Sequence, residues 1–206
     1  MTKEEKIRVL KELANYKPTI YQALDKLDCK VGIEIGVRVG NNLKDLAKNK
    51  RFQEGKLYGL DCWREDPGRP EINDEGFSQS SLDQQYASVV NMFASQEYVE
   101  IIRDFSEEGS QRFKDGTFDF IYIDAAHDYS SVKRDVKTWW PKLKDGGVFS
   151  GHDYFPDTRI WRGKKCGVWD AVNEFAESIG TRVHHTTDTN LEGGPNVACN
   201  SFFIIK

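Results

Sequence analysis

Five short apolar runs alternate with segments of helical period, and this alternation restricts the fold more than any other feature of the chain. The runs are KVGIEIG (30–36), KLYGLD (56–61), YVEIIRD (98–104), FDFIYID (118–124) and VFSGHD (148–153). Runs of four to eight apolar residues separated by helices read as strands of a largely parallel sheet, covered on both faces. The expected fold is therefore α/β: a Rossmann-like, doubly wound, mostly parallel sheet with helices on both faces. TRVHHTT (181–187) and NSFFIIK (200–206) are expected to add a C-terminal antiparallel strand pair. With 206 residues, the chain is expected to form one domain, 1–206.

The connecting segments follow from local signals. Residues 2–15 are expected to form an amphipathic helix, with Thr2 as cap and Glu5 at the capping-box position. Pro18 ends it, and a second short helix covers 19–28. Further helices are expected at 41–50, 82–94, 107–113, 130–143 and 165–179, with a turn at Asp145-Gly146-Gly147. Residues 62–82 and 155–167 are polar and read as substrate loops; Arg159, Arg162 and Lys164 of the second could face an acidic substrate.

Composition removes several classes of function. The net charge is −4 and the positive residues are scattered, so a nucleic-acid partner is not expected. The four cysteines, at 29, 62, 166 and 199, have no metal-site spacing, which fits a reducing compartment. MTKEEKIRVLKEL lacks the apolar core of a signal peptide, and no apolar run reaches spanning length. A cytoplasmic protein without a membrane partner is the expectation; assembly into a homo-oligomer is left open.

In open α/β sheets, ligands bind beyond the carboxyl ends of the strands. Asp61, Asp104, Asp124 and His152-Asp153 all fall there. One polar residue past a strand says little, because loops are polar. Four successive strands ending this way point to a site. GIEIGVRVGNN places Gly36 and Gly40 between the first strand and a helix, where a backbone can turn tightly and approach a ligand. The spacing is not the dinucleotide fingerprint. Glu34 would repel a diphosphate but could accept hydrogen bonds from an ammonium group or hydroxyls. Asp61 stands about 20 residues past the turn, where an acid binds ribose hydroxyls. Together they point to an adenosine ligand bearing a positive amino group.

These residues resemble the class I S-adenosylmethionine-dependent methyltransferases, in particular small-molecule O-methyltransferases of the catechol and macrolide-sugar type. The resemblance covers roughly 30–155. It implies that Glu34, Gly36, Gly40 and Asn42 line the methionine part of S-adenosylmethionine. It puts Asp61 on the ribose, Trp63 against the adenine side, and Asp104, Phe105 and Ser106 along the adenine. Asp124 would lie near the sulfonium, with His127 three positions on, where the catechol-type enzymes carry a basic residue. His152 and Asp153 stand where related enzymes supply further metal ligands. The usual pattern there is an acid followed by Asn or Asp, so the histidine is a departure. It raises the question of magnesium against a transition metal at Asp124, His152 and Asp153, or of direct substrate binding by the pair.

The implied chemistry is methyl transfer to a hydroxyl of a small molecule. An imidazole with a pKa of about 6.5 is suited to remove the hydroxyl proton, so His127 is the expected general base, with Asp124, His152 and Asp153 orienting the acceptor. His184 and His185 are expected to be structural, and Trp139, Trp140 and Trp169 to belong to the core or an interface. Two other readings stay open. Tyr129 and Lys133 have the Tyr-x-x-x-Lys spacing of short-chain NAD(P)-dependent oxidoreductases. A non-catalytic adenosine-ligand binder on the same fold is the other.

Overall fold

A computed structural model of the chain describes residues 1–13, 19–69, 76–155, 160–161, 164–185 and 201–206. The expected sheet is present. Strands β1 (Val31–Ile35), β2 (Lys56–Asp61), β3 (Val99–Arg103), β4 (Phe118–Ile123), β5 (Leu143–Gly151), β8 (His184–His185) and β9 (Phe202–Ile205) form one sheet in the order β3-β2-β1-β4-β5-β9-β8. The five strands from β3 to β5 run parallel. β9 lies antiparallel to both β5 and β8. β6 (Ile160–Trp161) and β7 (Lys164–Lys165) make a separate two-stranded ribbon.

Side-chain alternation along the strands divides the core between the two faces. In β4, Phe120 and Tyr122 join one cluster, while Ile121 and Ile123 join the other. Phe203 and Ile205 of β9 follow the first, and Phe202 and Ile204 the second. The first face is covered by α1 (Lys3–Leu13), α2 (Thr19–Lys26), α3 (Asn41–Leu46), α4 (Lys50–Gln53) and α5 (Gln79–Phe93). The second is covered by α7 (Tyr129–Trp139) and α8 (Val168–Ser178), with the short α6 (Ser106–Ser110) packed alongside α7. Period-two strands and period-3.6 helices thus bury one stripe each against a shared sheet.

Local signals set most of the boundaries. The capping box forms: the Glu5 amide donates to Thr2 Oγ1 at 3.2 Å, and the Thr2 nitrogen donates to Glu5 Oε2 at 2.8 Å. Several boundaries differ from the sequence expectation. The helix expected over 41–50 is split into α3 and α4, the one over 107–113 covers Ser106–Ser110, and the one over 165–179 starts at Val168. The expected loop 155–167 contains the β6–β7 ribbon. α5 begins at Gln79 rather than 82, because Ser78 caps it and accepts from the Ser81 amide at 3.3 Å. The expected loop 62–82 is shorter by that turn, and residues 70–75 lie outside those described. The helix expected over 130–143 stops at Trp139, and Pro141 then sits in a 3-10 turn, Trp140–Lys142. Asp145-Gly146-Gly147 is not a turn between elements but part of β5, where a register shift opposite Phe118 and Phe120 absorbs the extra residues.

β1 stands between β2 and β4, so the chain order reverses at its carboxyl end. There the Gly36 amide donates to the Leu60 carbonyl at 2.9 Å, and the Asp124 amide to the Ile35 carbonyl at 2.8 Å. Gly36 has φ +92°, and a Cβ on it would lie 2.1 Å from the Asp124 carbonyl oxygen. Only glycine tolerates both conditions. Gly36→Ala is expected to cost about 3 kcal/mol or more, read as a lower midpoint in urea denaturation with an unchanged slope.

Candidate active site

A cavity of about 370 Å³ opens over the carboxyl ends of β1, β2, β3 and β4, within the size range of small-ligand pockets. Glu34, Gly36, Asn42, Asp61, Trp63, Asp104, Phe105, Ser106, Asp124 and His127 all line it. Gly40 does not; it has φ +81° and turns the chain into α3, its amide donating to the Val37 carbonyl at 2.8 Å.

Glu34 lies at the cavity floor. Its side chain is buried, and Asn42 Nδ2 donates to Oε1 at 2.8 Å. Oε2 is buried with no partner among the described residues. Burial pushes the Glu34 carboxyl well above the usual range. An acceptor oxygen left without a donor in so dry a place is costly unless a ligand supplies one.

Asp61 plays a second part that its position alone did not announce. Oδ2 accepts from the Arg38 amide at 2.7 Å and Oδ1 from the Trp63 amide at 3.1 Å. Arg38 and Trp63 both adopt positive φ, +53° and +41°. The carboxylate therefore ties two unusual backbone turns to the end of β2, one on each side of the cavity. Trp63 is buried, and its Nε1 donates to the Arg38 carbonyl at 2.8 Å. Burial raises the Asp61 pKa, and the backbone donors oppose that rise.

Asp104 accepts from Arg112 at 2.9 Å and from the Phe105 amide at 3.1 Å. The Arg69 guanidinium lies 4.9 Å from the Phe105 ring centre, at cation–π distance. Arg38, Arg69 and Asp135 also line the cavity, and sequence reasoning did not select them. For Asp135 a signal existed: it is an acid on the apolar stripe of α7, between Val132 and Val136.

Past β4, His127 Nε2 lies 2.9 Å from Asp153 Oδ2 and 3.5 Å from Asp124 Oδ1. The Gly167 amide donates to the His127 carbonyl at 2.7 Å, anchoring this segment to the start of α8. Burial alone would lower the His127 pKa, but the two carboxylates overcome it and hold the ring's pKa up to about 10. Asp153 shows the reciprocal effect: burial would raise it, yet His127 and His152 hold it well below the usual carboxylate range. Donor atoms of Asp124, His152 and Asp153 lie within 4.8 Å of one another, a spacing that could hold a metal ion. His152 and Asp153 do not line the cavity among the described residues; they stand beside it, behind Asp124 and His127. Asp153 has φ +55°, a backbone conformation uncommon for a non-glycine residue and often found at functional sites.

The Tyr129 and Lys133 pair is elsewhere. Lys133 Nζ donates to Tyr129 Oη at 2.9 Å and to Glu174 Oε1 at 2.8 Å, and neither residue lines the cavity. Arg159, Arg162 and the side chain of Lys164 lie outside the described residues, as does Cys199. His184 stacks on Phe203 at 5.5 Å, and Trp139 is fully buried, as expected of structural residues. None of the described helices is long and apolar enough to cross a membrane.

The family described as "Methyltransferase domain" matches residues 33–154. The chain belongs to this methyltransferase-domain family. No curated protein matches it. Among solved structures, it is similar to a Staphylococcus aureus protein assigned as a caffeoyl-CoA O-methyltransferase, at 18% identity and a TM-score of 0.62, covering 97% of this chain and 92% of that one. It is similar to an O-methyltransferase from Bacillus cereus solved with SAH, at 17% identity and a TM-score of 0.59, over 99% and 90% of the two chains. Spermidine synthase from Thermotoga maritima is another neighbour, at 17% identity and a TM-score of 0.58, and 91% of the present chain is covered. The present chain spans only 59% of that synthase chain. These likenesses are likenesses of fold. The seven-stranded sheet, mostly parallel with β9 antiparallel, is the Rossmann-like fold of these neighbours.

The pairing of His127 with two carboxylates has a measurable sign. A histidine pKa raised from 6.5 to about 10 contributes stability that is fully present below about pH 6.5 and lost as the pH rises through about 10. In chelator-treated protein, an NMR titration is expected to find the His127 ring protonated through pH 8. Asp153→Asn should lower its apparent pKa by at least about one unit.

Proposed function

We propose that this methyltransferase domain transfers the methyl group of S-adenosylmethionine to a hydroxyl of a small molecule. The observation that carries the reading is the unpartnered, buried Oε2 of Glu34, at the floor of a cavity that also holds Asp124 and His127. The cofactor's α-ammonium group would supply the missing donor, in a charge-assisted hydrogen bond. Asp61, at the end of β2, faces the middle of the cavity and would take the ribose hydroxyls on the lone pairs its backbone donors leave over. The sulfonium methyl would then point toward Asp124 and His127.

The methyl group is already activated, so the protein's work is to align the acceptor, exclude water and remove one proton. His127 is the group placed to take that proton at Nε2. It can do so only as neutral imidazole, whereas its pairing with Asp124 and Asp153 holds the ring protonated below about pH 10, so transfer should rise with pH toward that value. Asp124, His152 and Asp153 would hold a divalent cation, and this donor set, two carboxylates and an imidazole, suits a transition metal better than magnesium. When bound, such a cation would lower the pKa of the acceptor hydroxyl. Asp124, which lines the cavity, would in either case orient the acceptor beside the methyl group, with His152 acting from beside the cavity. Nothing in the cavity favours an oxidoreductase, since Tyr129 and Lys133 are spent on Glu174 at the surface.

Calorimetry with S-adenosylmethionine is expected to give one site per chain. Glu34→Gln should weaken it by about 10- to 100-fold, the effect of losing a charged hydrogen bond. Radiolabelled methyl transfer to a panel of hydroxyl acceptors should fall by about 100-fold or more in His127→Ala, with cofactor affinity little changed. Transfer to amines alone, or tight cofactor binding without turnover on any acceptor, would count against the reading. In a thermal melt, manganese is expected to raise the midpoint more than magnesium, and His152→Ala should abolish the difference.

A further inference from the structure

Glu34 lies at the cavity floor with little around it to hold a charge. It is only 1% exposed. Among the described residues one donor reaches its carboxyl, the Asn42 amide at 2.8 Å from Oε1, and Oε2 receives none. Asp61 shows what a carboxylate of the same cavity can be given: a backbone amide on each oxygen, at 2.7 and 3.1 Å. An isolated charge taken out of water is costly, and a lone buried acid avoids that cost by keeping its proton.

The charged groups on the neighbouring elements do not relieve it. Asp61 ends β2 and Asp124 follows β4, and both carboxylates oppose a further charge at Glu34. Tyr122, its register partner in β4, turns its hydroxyl to Ser201 at 3.1 Å. On the helices of this face, Lys44 and Asp45 of α3 and Asp25 and Lys26 of α2 are exposed, and Asp83 of α5 is paired with Arg103. The cations that line the cavity are engaged elsewhere: His127 with Asp124 and Asp153, Arg69 with Glu108, and Arg134 with Glu107. Arg38 and Arg64 lie over the rings of Phe77 and Phe105. Burial is the main cause that lifts the Glu34 carboxyl well above its ordinary range; the Asn42 bond opposes it, and Asp124 and Asp61 add to it.

We propose that Glu34 is protonated in the empty cavity and releases that proton to solvent when the cofactor's α-ammonium group arrives, so that cofactor capture is coupled to pH. The proposal rests on the cavity being the S-adenosylmethionine site. The ammonium group brings the counter-charge and the donor that Oε2 lacks. The Glu34 O–H bond breaks, the carboxylate keeps the electron pair, and the buffer takes the proton. The acid holds its proton more tightly in the empty site than in the occupied one. Binding therefore tightens as the pH rises toward the empty-site pKa and levels off above it. An adenosine thioether without an amino group meets a neutral acid and gains nothing from its ionisation, so the coupling also favours ligands that carry the amine.

The test is calorimetry with S-adenosylhomocysteine and with 5′-methylthioadenosine, which lacks the amino-acid part. Titrations at pH 6.5 in two buffers of different ionisation enthalpy count the protons exchanged. Wild type should release more protons on binding S-adenosylhomocysteine than on binding 5′-methylthioadenosine. Its affinity for the first relative to the second should rise at least about threefold between pH 6.5 and pH 8. Glu34→Gln keeps the shape but has no proton to lose, so its relative affinity should not change with pH. The comparison of two ligands on wild type stands however well Glu34→Gln folds. A wild-type ratio that does not move with pH would overturn the proposal and leave the methyltransferase reading intact. So would an equal pH dependence in folded Glu34→Gln. Failure of wild type to bind S-adenosylhomocysteine even at pH 8 would overturn the cofactor reading, and this proposal with it.

Discussion

The close approach of Gly36 to the main chain of Asp124 is the constraint on which the site depends. β1 and β4 are neighbours in the sheet, and their carboxyl ends must diverge to leave room for a ligand. The chain achieves this by turning β1 at a residue with φ +92°, so close to Asp124 that a Cβ would lie 2.1 Å from its carbonyl oxygen. The same crossing puts Glu34 one residue before the end of β1 and Asp124 one residue after the end of β4. An acid in the cavity floor and an acid at its rim follow from one backbone contact and the register Ile35↔Ile123.

Around that crossing the cavity concentrates carboxylates, and each is treated differently. Asp61 is braced by two backbone amides and stabilises the turns that shape the walls. Asp104 is neutralised by Arg112. Asp124 and Asp153 share the His127 imidazole. Among the described carboxylates that line the cavity, Glu34 alone keeps a fully buried oxygen without a donor. The pattern is that of a site in which structural charges are satisfied internally and the ligand-facing one is left to the ligand. Water exclusion at such a site strengthens the interactions that remain.

Much of this was legible in the chain because buried parallel strands tolerate polar residues only at their ends. FDFIYID and KLYGLD announced their own carboxyl termini, and the order of elements followed. What was hidden depends on tertiary pairing. The bracing role of Asp61 requires Arg38 and Trp63 to adopt positive φ, which nothing in VRVGNN or DCWRE signals locally. The early start of α5 was missed because its first turn, QSSL, is polar and only Ser78 marks the cap. Asp145-Gly146-Gly147 reads as a turn, yet the register shift against β4 keeps it inside β5. The Tyr129 and Lys133 spacing was visible, but its meaning was not, because Glu174 reaches them from a helix 41 residues away from Lys133. His127 was visible as a candidate base. Its proton-holding partner Asp153 could be recognised only once β5 was set beside β4.

The central claim is that one cavity joins Glu34 to the Asp124–His127 edge around S-adenosylmethionine. A crystal structure of the protein grown with S-adenosylhomocysteine tests it most directly. The account predicts the ligand's amino group hydrogen-bonded to Glu34 Oε2, its ribose beside Asp61, and its thioether sulfur turned toward Asp124 and His127. A ligand bound elsewhere, or one in the cavity with its amino group away from Glu34, would contradict it.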